Sequence, residues 1–119
     1  MAVVDVPDPD HDRELDFWRA AVGQPFEQVE GQPDYHGARL HGQDAWMLVQ
    51  RIGAGSARVH LDFHTDDLDA EVARLEGLGA QRVEKVQFWW VMRDPAGLPF
   101  CVVPDPSRTL TDDNAQRWD

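Results

Sequence analysis

Apolar and polar positions follow one order twice along this chain: a short alternating run, an acidic turn, a stripe at helical spacing, then glycine. The second copy is the clearer. Val59-His60-Leu61-Asp62-Phe63 alternates at period two and predicts a strand. Thr65, Asp66 and Asp67 follow, with side-chain oxygens suited to cap the unpaired amides of a helix. Leu68, Val72, Leu75 and Leu78 then recur at intervals of four, three and three, one apolar face of a helix that Gly79 can stop in a left-handed conformation. In the first copy Ala2-Val3-Val4-Asp5-Val6 predicts the strand, Asp8, Asp10 and Asp12 the acidic turn, and Leu15, Trp18 and Val22 the helical stripe before Gly23. Asp5 to Gly23 spans 18 steps and Asp62 to Gly79 spans 17, so the copies keep step apart from one added residue in the first turn.

Short strand-like runs follow each helix. In the first half they are residues 26–30, 35–40 and 45–52, separated by Gly31-Gln32-Pro33-Asp34 and His41-Gly42-Gln43-Asp44. In the second they are residues 81–86, 88–93 and 100–103, with Asp94-Pro95-Ala96-Gly97 as a turn. The expected fold class is α+β: two tandem β-α-β-β-β units over about residues 2–52 and 58–104, joined through Gly53-Ala54-Gly55-Ser56, in one domain over 1–104. Residues 105–119 read as a polar tail, with Trp118 able to dock on the body.

Composition narrows the partners. The 119 residues suit one domain, and 42% hydrophobic with 28% charged residues is the balance of a chain that folds. Acidic residues outnumber basic ones 22 to 11, a formal charge of -11 that repels phosphate backbones and anionic lipid, so neither nucleic acid nor membrane is an expected partner. Cys101 is the single cysteine, which rules out an intrachain disulfide; with no basic start and no long apolar run, the expected location is cytoplasmic.

Three strings carry a family resemblance. They are Leu15-Asp16-Phe17-Trp18 with Ala20-Ala21-Val22-Gly23; Val59-His60-Leu61-Asp62-Phe63 with Asp66-Asp67, Glu71-Val72-Ala73-Arg74-Leu75 and Leu78-Gly79-Ala80; and Arg93-Asp94-Pro95-Ala96-Gly97-Leu98-Pro99-Phe100-Cys101-Val102-Val103. In this order and spacing the chain resembles the vicinal oxygen chelate superfamily of glyoxalases, bleomycin-resistance proteins and extradiol dioxygenases. The resemblance implies curved mixed sheets with helices on the convex side, a ligand cavity on the concave side, and a homodimer. Metal-dependent relatives place ligands on the first and last strands of the units. Those positions match His60, Val3 and Cys101, so the usual metal site is expected to be absent and no cofactor is expected, a divalent metal remaining the alternative.

The residues near these positions admit two uses each. Alternation puts His60, Asp62 and His64 on one face of their strand and Leu61 and Phe63 on the other, where the apolar pair should pack under the helices. His60-x-Asp62-x-His64 can be a metal or acid-base cluster, or Asp62 can be a structural hydrogen-bond partner with His64 in solvent, as Asp5 stands without a histidine in the first unit. Aligning Gly42 with Gly97 sets Trp46 opposite Cys101, an indole suited to stacking a ring or a cation. Of Phe88, Trp89 and Trp90 at least one should face the cavity, and Trp90 is taken as that residue. Cys101 reads as a small buried hydrophobe or as a nucleophile beside His60; Arg93 as a partner for an acidic neighbour or for a ligand carboxylate. His11, His36 and His41 show no metal-ligand spacing and receive no role.

Three functions are compatible with these residues: a module binding a small organic ligand through Trp46, Trp90, His60, Asp62, Cys101 and Arg93; an enzyme of lyase, isomerase or dioxygenase type with His60 as metal ligand or general base; and a regulatory piece with a vestigial pocket.

Overall fold

A computed structural model describes residues 1–40, 45–105, 110–111, 114–115 and 117–118. The chain divides into two compact units, Met1–His60 and Leu61–Asp119.

In the first unit β1 (Ala2–Pro7) runs into a single 3₁₀ turn at Asp8–Asp10 and then α1 (His11–Val22). That turn absorbs the extra residue seen when the two copies are aligned. The strands β2 (Glu27–Val29), β3 (Gln32–Arg39) and β4 (Trp46–Ile52) follow. The sheet order is β2-β3-β4-β1, with β1 parallel to β4 and the other pairs antiparallel. Val4 and Val6 of β1, Ala38 of β3 and Val49 of β4 bury against Leu15 of α1 and Phe26, with Trp18 and Val22 packed on the edge. The predicted stripe Leu15, Trp18, Val22 is therefore the helix face that meets the sheet. Gly23 stops α1 at φ 74°, donating its amide to the Arg19 carbonyl at 2.9 Å.

The second unit repeats the topology. Its strands are β5 (Arg58–Thr65), which starts just before the division, β6 (Gln81–Val86), β7 (Trp89–Arg93) and β8 (Pro99–Pro104), with α2 (Leu68–Gly77) between β5 and β6. The order is β5-β8-β7-β6, β5 parallel to β8 and the rest antiparallel. Val72, Met92, Phe100 and Val102 form its core, flanked by Leu68, Leu75 and Trp90. Asp67 caps α2, its Oδ1 accepting from the Ala70 amide at 3.1 Å. The other end closes with Ala80 N–H on Leu75 O and Gly79 N–H on Glu76 O, both 3.0 Å, with Gly79 at φ 110°. Both units are thus β-α-β-β-β, and the chain is α+β with mixed sheets.

Several sequence expectations are corrected. Gln32, Pro33 and Asp34 belong to β3 rather than to a turn, because Glu30 and Gly31, the latter at φ 75°, suffice to reverse the chain between Val29 and Gln32. Phe88 leaves the strand for a two-residue turn with Gln87, which takes φ 52° without being glycine. Phe26 is buried ahead of β2 rather than within it. Leu78 is exposed beyond the end of α2. Leu61 and Phe63 do not disappear under a helix: they remain 44% and 50% exposed, because α2 lies over β8 and β6 rather than over β5. Phe63 meets only the margin of the core, edge-on to Phe100 at 5.8 Å. In the tail, Trp118 lies under the Arg74 guanidinium, 4.2 Å from its carbon to the ring centre. The expected turn at residues 41–44 lies outside the described residues.

Candidate functional site

Strand parity sorts the first sheet into two faces. With Val4, Val6, Ala38 and Val49 committed to α1, the alternating residues Val3 and Asp5 of β1, Tyr35 and Gly37 of β3, and Trp46, Leu48 and Gln50 of β4 occupy the opposite face. Gly37 leaves room there: a Cβ at that position would meet Leu48 Cδ1 at 2.8 Å and the Met47 carbonyl at 3.4 Å, so a larger residue needs the Leu48 side chain to shift. Gln50 Nε2 donates to the Tyr35 hydroxyl at 3.3 Å. Trp46 keeps 50% of its surface exposed.

Asp5 is the buried charge of this face, 2% exposed. Its Oδ2 lies 2.7 Å from His60 Nδ1 and 3.4 Å from Arg58 Nε. Oδ1 is buried without a hydrogen-bond partner among the described residues. A carboxylate removed from water needs such partners, and the 2.7 Å contact orients the imidazole in return. The partner of Asp5 stands 55 residues away, beyond the reach of a local pattern.

On the second sheet Phe100 and Val102 face α2, so Cys101 faces away, directly opposite Asp62 in the β5–β8 register. One ligand atom from each of His60, Asp62 and Cys101 lies within 4.8 Å of the others. His64, near the end of β5, is not part of that group; desolvation of its ring lowers its pKa below the ordinary 6.5, against the opposing pull of Asp62. Arg93 reaches the Gly97 carbonyl at 3.3 Å, within the turn that Asp94 Oδ1 holds by accepting from the amides of Ala96 and Leu98. Trp90 pairs with Val102 and packs on the core beneath Arg82, whose carbon is 5.1 Å from the ring centre, so it belongs to the helix side. By parity Trp89, two residues from Val91 opposite Cys101, takes the face assigned to Trp90 from sequence.

The glyoxalase-like domain family profile matches residues 1–103. The chain belongs to that family. No curated protein sequence matches it significantly. Among solved structures, methylmalonyl-CoA epimerase from Mycobacterium tuberculosis is similar with a TM-score of 0.60 at 16% identity, over 89% of this chain and 87% of that one. A glyoxalase/bleomycin resistance protein/dioxygenase superfamily member from Vibrio splendidus 12B01 gives 0.51 at 11% identity, over 88% and 98%. The 2,2',3-trihydroxybiphenyl 1,2-dioxygenase from Sphingomonas wittichii strain RW1 gives 0.55 at 12% identity over 95% of this chain and 42% of that one. At such identities these likenesses establish the fold.

The metal set implied by the glyoxalase-like resemblance does not fit this chain. Val3, which the resemblance matches to the first ligand position, is an apolar side chain 1% exposed and offers no donor. The described residues offer a different group, an imidazole, a carboxylate and a thiol, whose sulfur favours borderline and soft ions over magnesium or manganese.

Proposed function

We propose that this glyoxalase-like domain binds a small organic molecule on the strand face turned away from α1, without the family's usual metal. The observation that carries the reading is Trp46, a half-exposed indole on a strand face, with its ring edge 3.9 Å from the Cβ position that Gly37 leaves vacant. Large aromatic residues on a sheet face normally bury their area, and an indole left open is a stacking surface for a ring or a cation. The formal charge of -11 favours the cation of those two.

Tryptophan fluorescence, titrated with a panel of aromatic and cationic compounds in the wild type and in Trp46→Leu, tests this. At least one compound should quench the wild type and leave the variant unchanged. A flat response of the wild type to the whole panel rejects the proposal. A homodimer as the binding form is part of the same reading, supported by the family resemblance; sedimentation equilibrium reporting a monomer at working concentration rejects it.

A second reading, an enzyme using His60, is favoured by the 2.7 Å contact that fixes its imidazole against Asp5. The metal-dependent version requires His60, Asp62 and Cys101 to hold an ion; elemental analysis of untagged protein, with less than about one tenth of an equivalent of transition metal and no gain on reconstitution, removes it. For the metal-free version, turnover by His60→Ala equal to wild type rejects His60 as general base.

A further inference from the structure

On the α1 side of the first sheet lies a polar cluster that the proposed ligand face does not use. His11 opens α1 and is fully buried. His36, on β3, packs against it with ring centres 5.3 Å apart and planes inclined at 52°. His11 Nε2 and His36 Nδ1 are both buried, and neither has a hydrogen-bond partner among the described residues. A buried ring nitrogen without a partner is disfavoured whether it carries a proton or a lone pair, and here two stand on neighbouring rings.

The surroundings bear on which partner would satisfy them. His11 Nδ1 lies 3.2 Å from Asp12 Oδ1 and 3.2 Å from Arg51 Nη2. A guanidinium only donates, so Nδ1 accepting from Arg51 puts the proton of a neutral His11 on Nε2. Nδ1–H donating to Asp12 instead leaves a lone pair on Nε2. Arg51 is itself held by Asp8, with Asp34 at 3.6 Å and Asp12 at 3.8 Å, and Arg19 lies 3.8 Å from Asp16. Four carboxylates against two guanidiniums give the cluster a charge of -2, opposite to that of a divalent cation. Burial lowers the pKa of His36, with His11, Arg19 and Arg51 adding to the effect and Asp12 opposing it, so His36 is neutral at neutral pH.

We propose that His11 Nε2 and His36 Nδ1 bind a divalent transition-metal ion of the zinc class, with Asp12 as the positioning carboxylate on the far nitrogen of His11. Neutral imidazole is the usual protein ligand for zinc, cobalt, nickel and copper. Two metal–nitrogen bonds of about 2.0–2.1 Å together with the ring radii span the 5.3 Å between centres. A carboxylate on the second nitrogen of a ligating histidine fixes its tautomer and raises its basicity. Water would fill the remaining positions. The site is separate from His60, Asp62 and Cys101 and contains no sulfur.

The test is a Co²⁺ titration of the untagged full chain by calorimetry and visible absorption. Cys101→Ser should still bind one equivalent, with d–d bands and no thiolate charge-transfer band. In that background His36→Gln should weaken binding at least about tenfold, and Asp12→Asn about 10–100-fold. Because His11 is wholly buried, the exposed Asp12 provides the variant whose folding is least in question, and circular dichroism verifies both. Failure of Cys101→Ser to bind Co²⁺, or unchanged binding when Asp12 or His36 is replaced in a folded protein, overturns the proposal.

Discussion

The contact between Asp5 and His60 makes a stability prediction that needs no ligand. Asp5→Asn preserves volume and removes the charge. The asparagine carbonyl can keep a neutral bond to His60, but its amide then occupies the place of Oδ1, which is buried without a partner among the described residues. The variant thus trades a charge-assisted bond for a neutral one and adds an unsatisfied donor, together a loss of about 1.5–3 kcal/mol. Arg58 lies at 3.4 Å but is more than half exposed, so its share is at most about 1 kcal/mol. His60→Gln removes the other partner. If the pair acts as a unit, the double variant loses less than the sum of the singles, with a coupling of about 1–3 kcal/mol. Urea denaturation at pH 7, comparing midpoints at a common slope, measures all four proteins. Single losses that add within about 0.5 kcal/mol would show that His60 and Asp5 do not depend on each other.

Three further outcomes follow from the core, a cap and a titration. Met92→Ala, at a position with no exposed surface in the second core, should cost about 2–5 kcal/mol by urea denaturation; a loss below about 1 kcal/mol would contradict the packing. Asp67→Ala removes the side-chain bond to the Ala70 amide and should cost about 0.5–2 kcal/mol, whereas Asp67→Asn should recover most of it. His36 has a folded-state pKa below its ordinary 6.5, so the unfolded chain takes up the proton first as pH falls. Its contribution to stability is full above about pH 6.5 and is lost as pH drops toward the folded value; His36→Gln should flatten the stability profile just below about pH 6.5, and an unchanged slope refutes the assignment.

The elements of this fold were legible because each is specified locally. The stripe Leu15, Trp18, Val22, the cap at Asp67 and the stop at Gly79 require only near neighbours, and they stand where the pattern set them. The errors share a cause. Gln87 enters the left-handed region without being glycine, and Pro33 sits inside β3, where composition suggests a turn. Leu61 and Phe63 alternate as buried residues should, yet whether a face is covered depends on where the helix lies, and α2 covers β8 and β6. Parity also separates Trp89 from Trp90 reliably but cannot say which parity faces the core until Met92 and Val102 are seen packing on Val72.

The candidate site was less legible because its decisive contacts are long-range. Counting back along the repeat sets His60 against Val3 and Asp62 against Asp5, which suggests two aspartates in one role. In the fold they diverge: Asp5 is engaged by His60 and Arg58, whereas Asp62 stands opposite Cys101. Within the unit Met1–His60, the imidazole at its far end thus reaches the carboxylate on β1. That arrangement explains how the first copy can hold a buried aspartate with valine, not histidine, at position 3. The histidines without apparent spacing follow the same logic. His11 and His36 are 25 positions apart, one at a helix start and one on a strand, and only the packing of α1 on β3 and β4 makes them neighbours. Residue type at fixed spacing finds ligands that share an element; ligands from two elements become visible only once the layers are stacked.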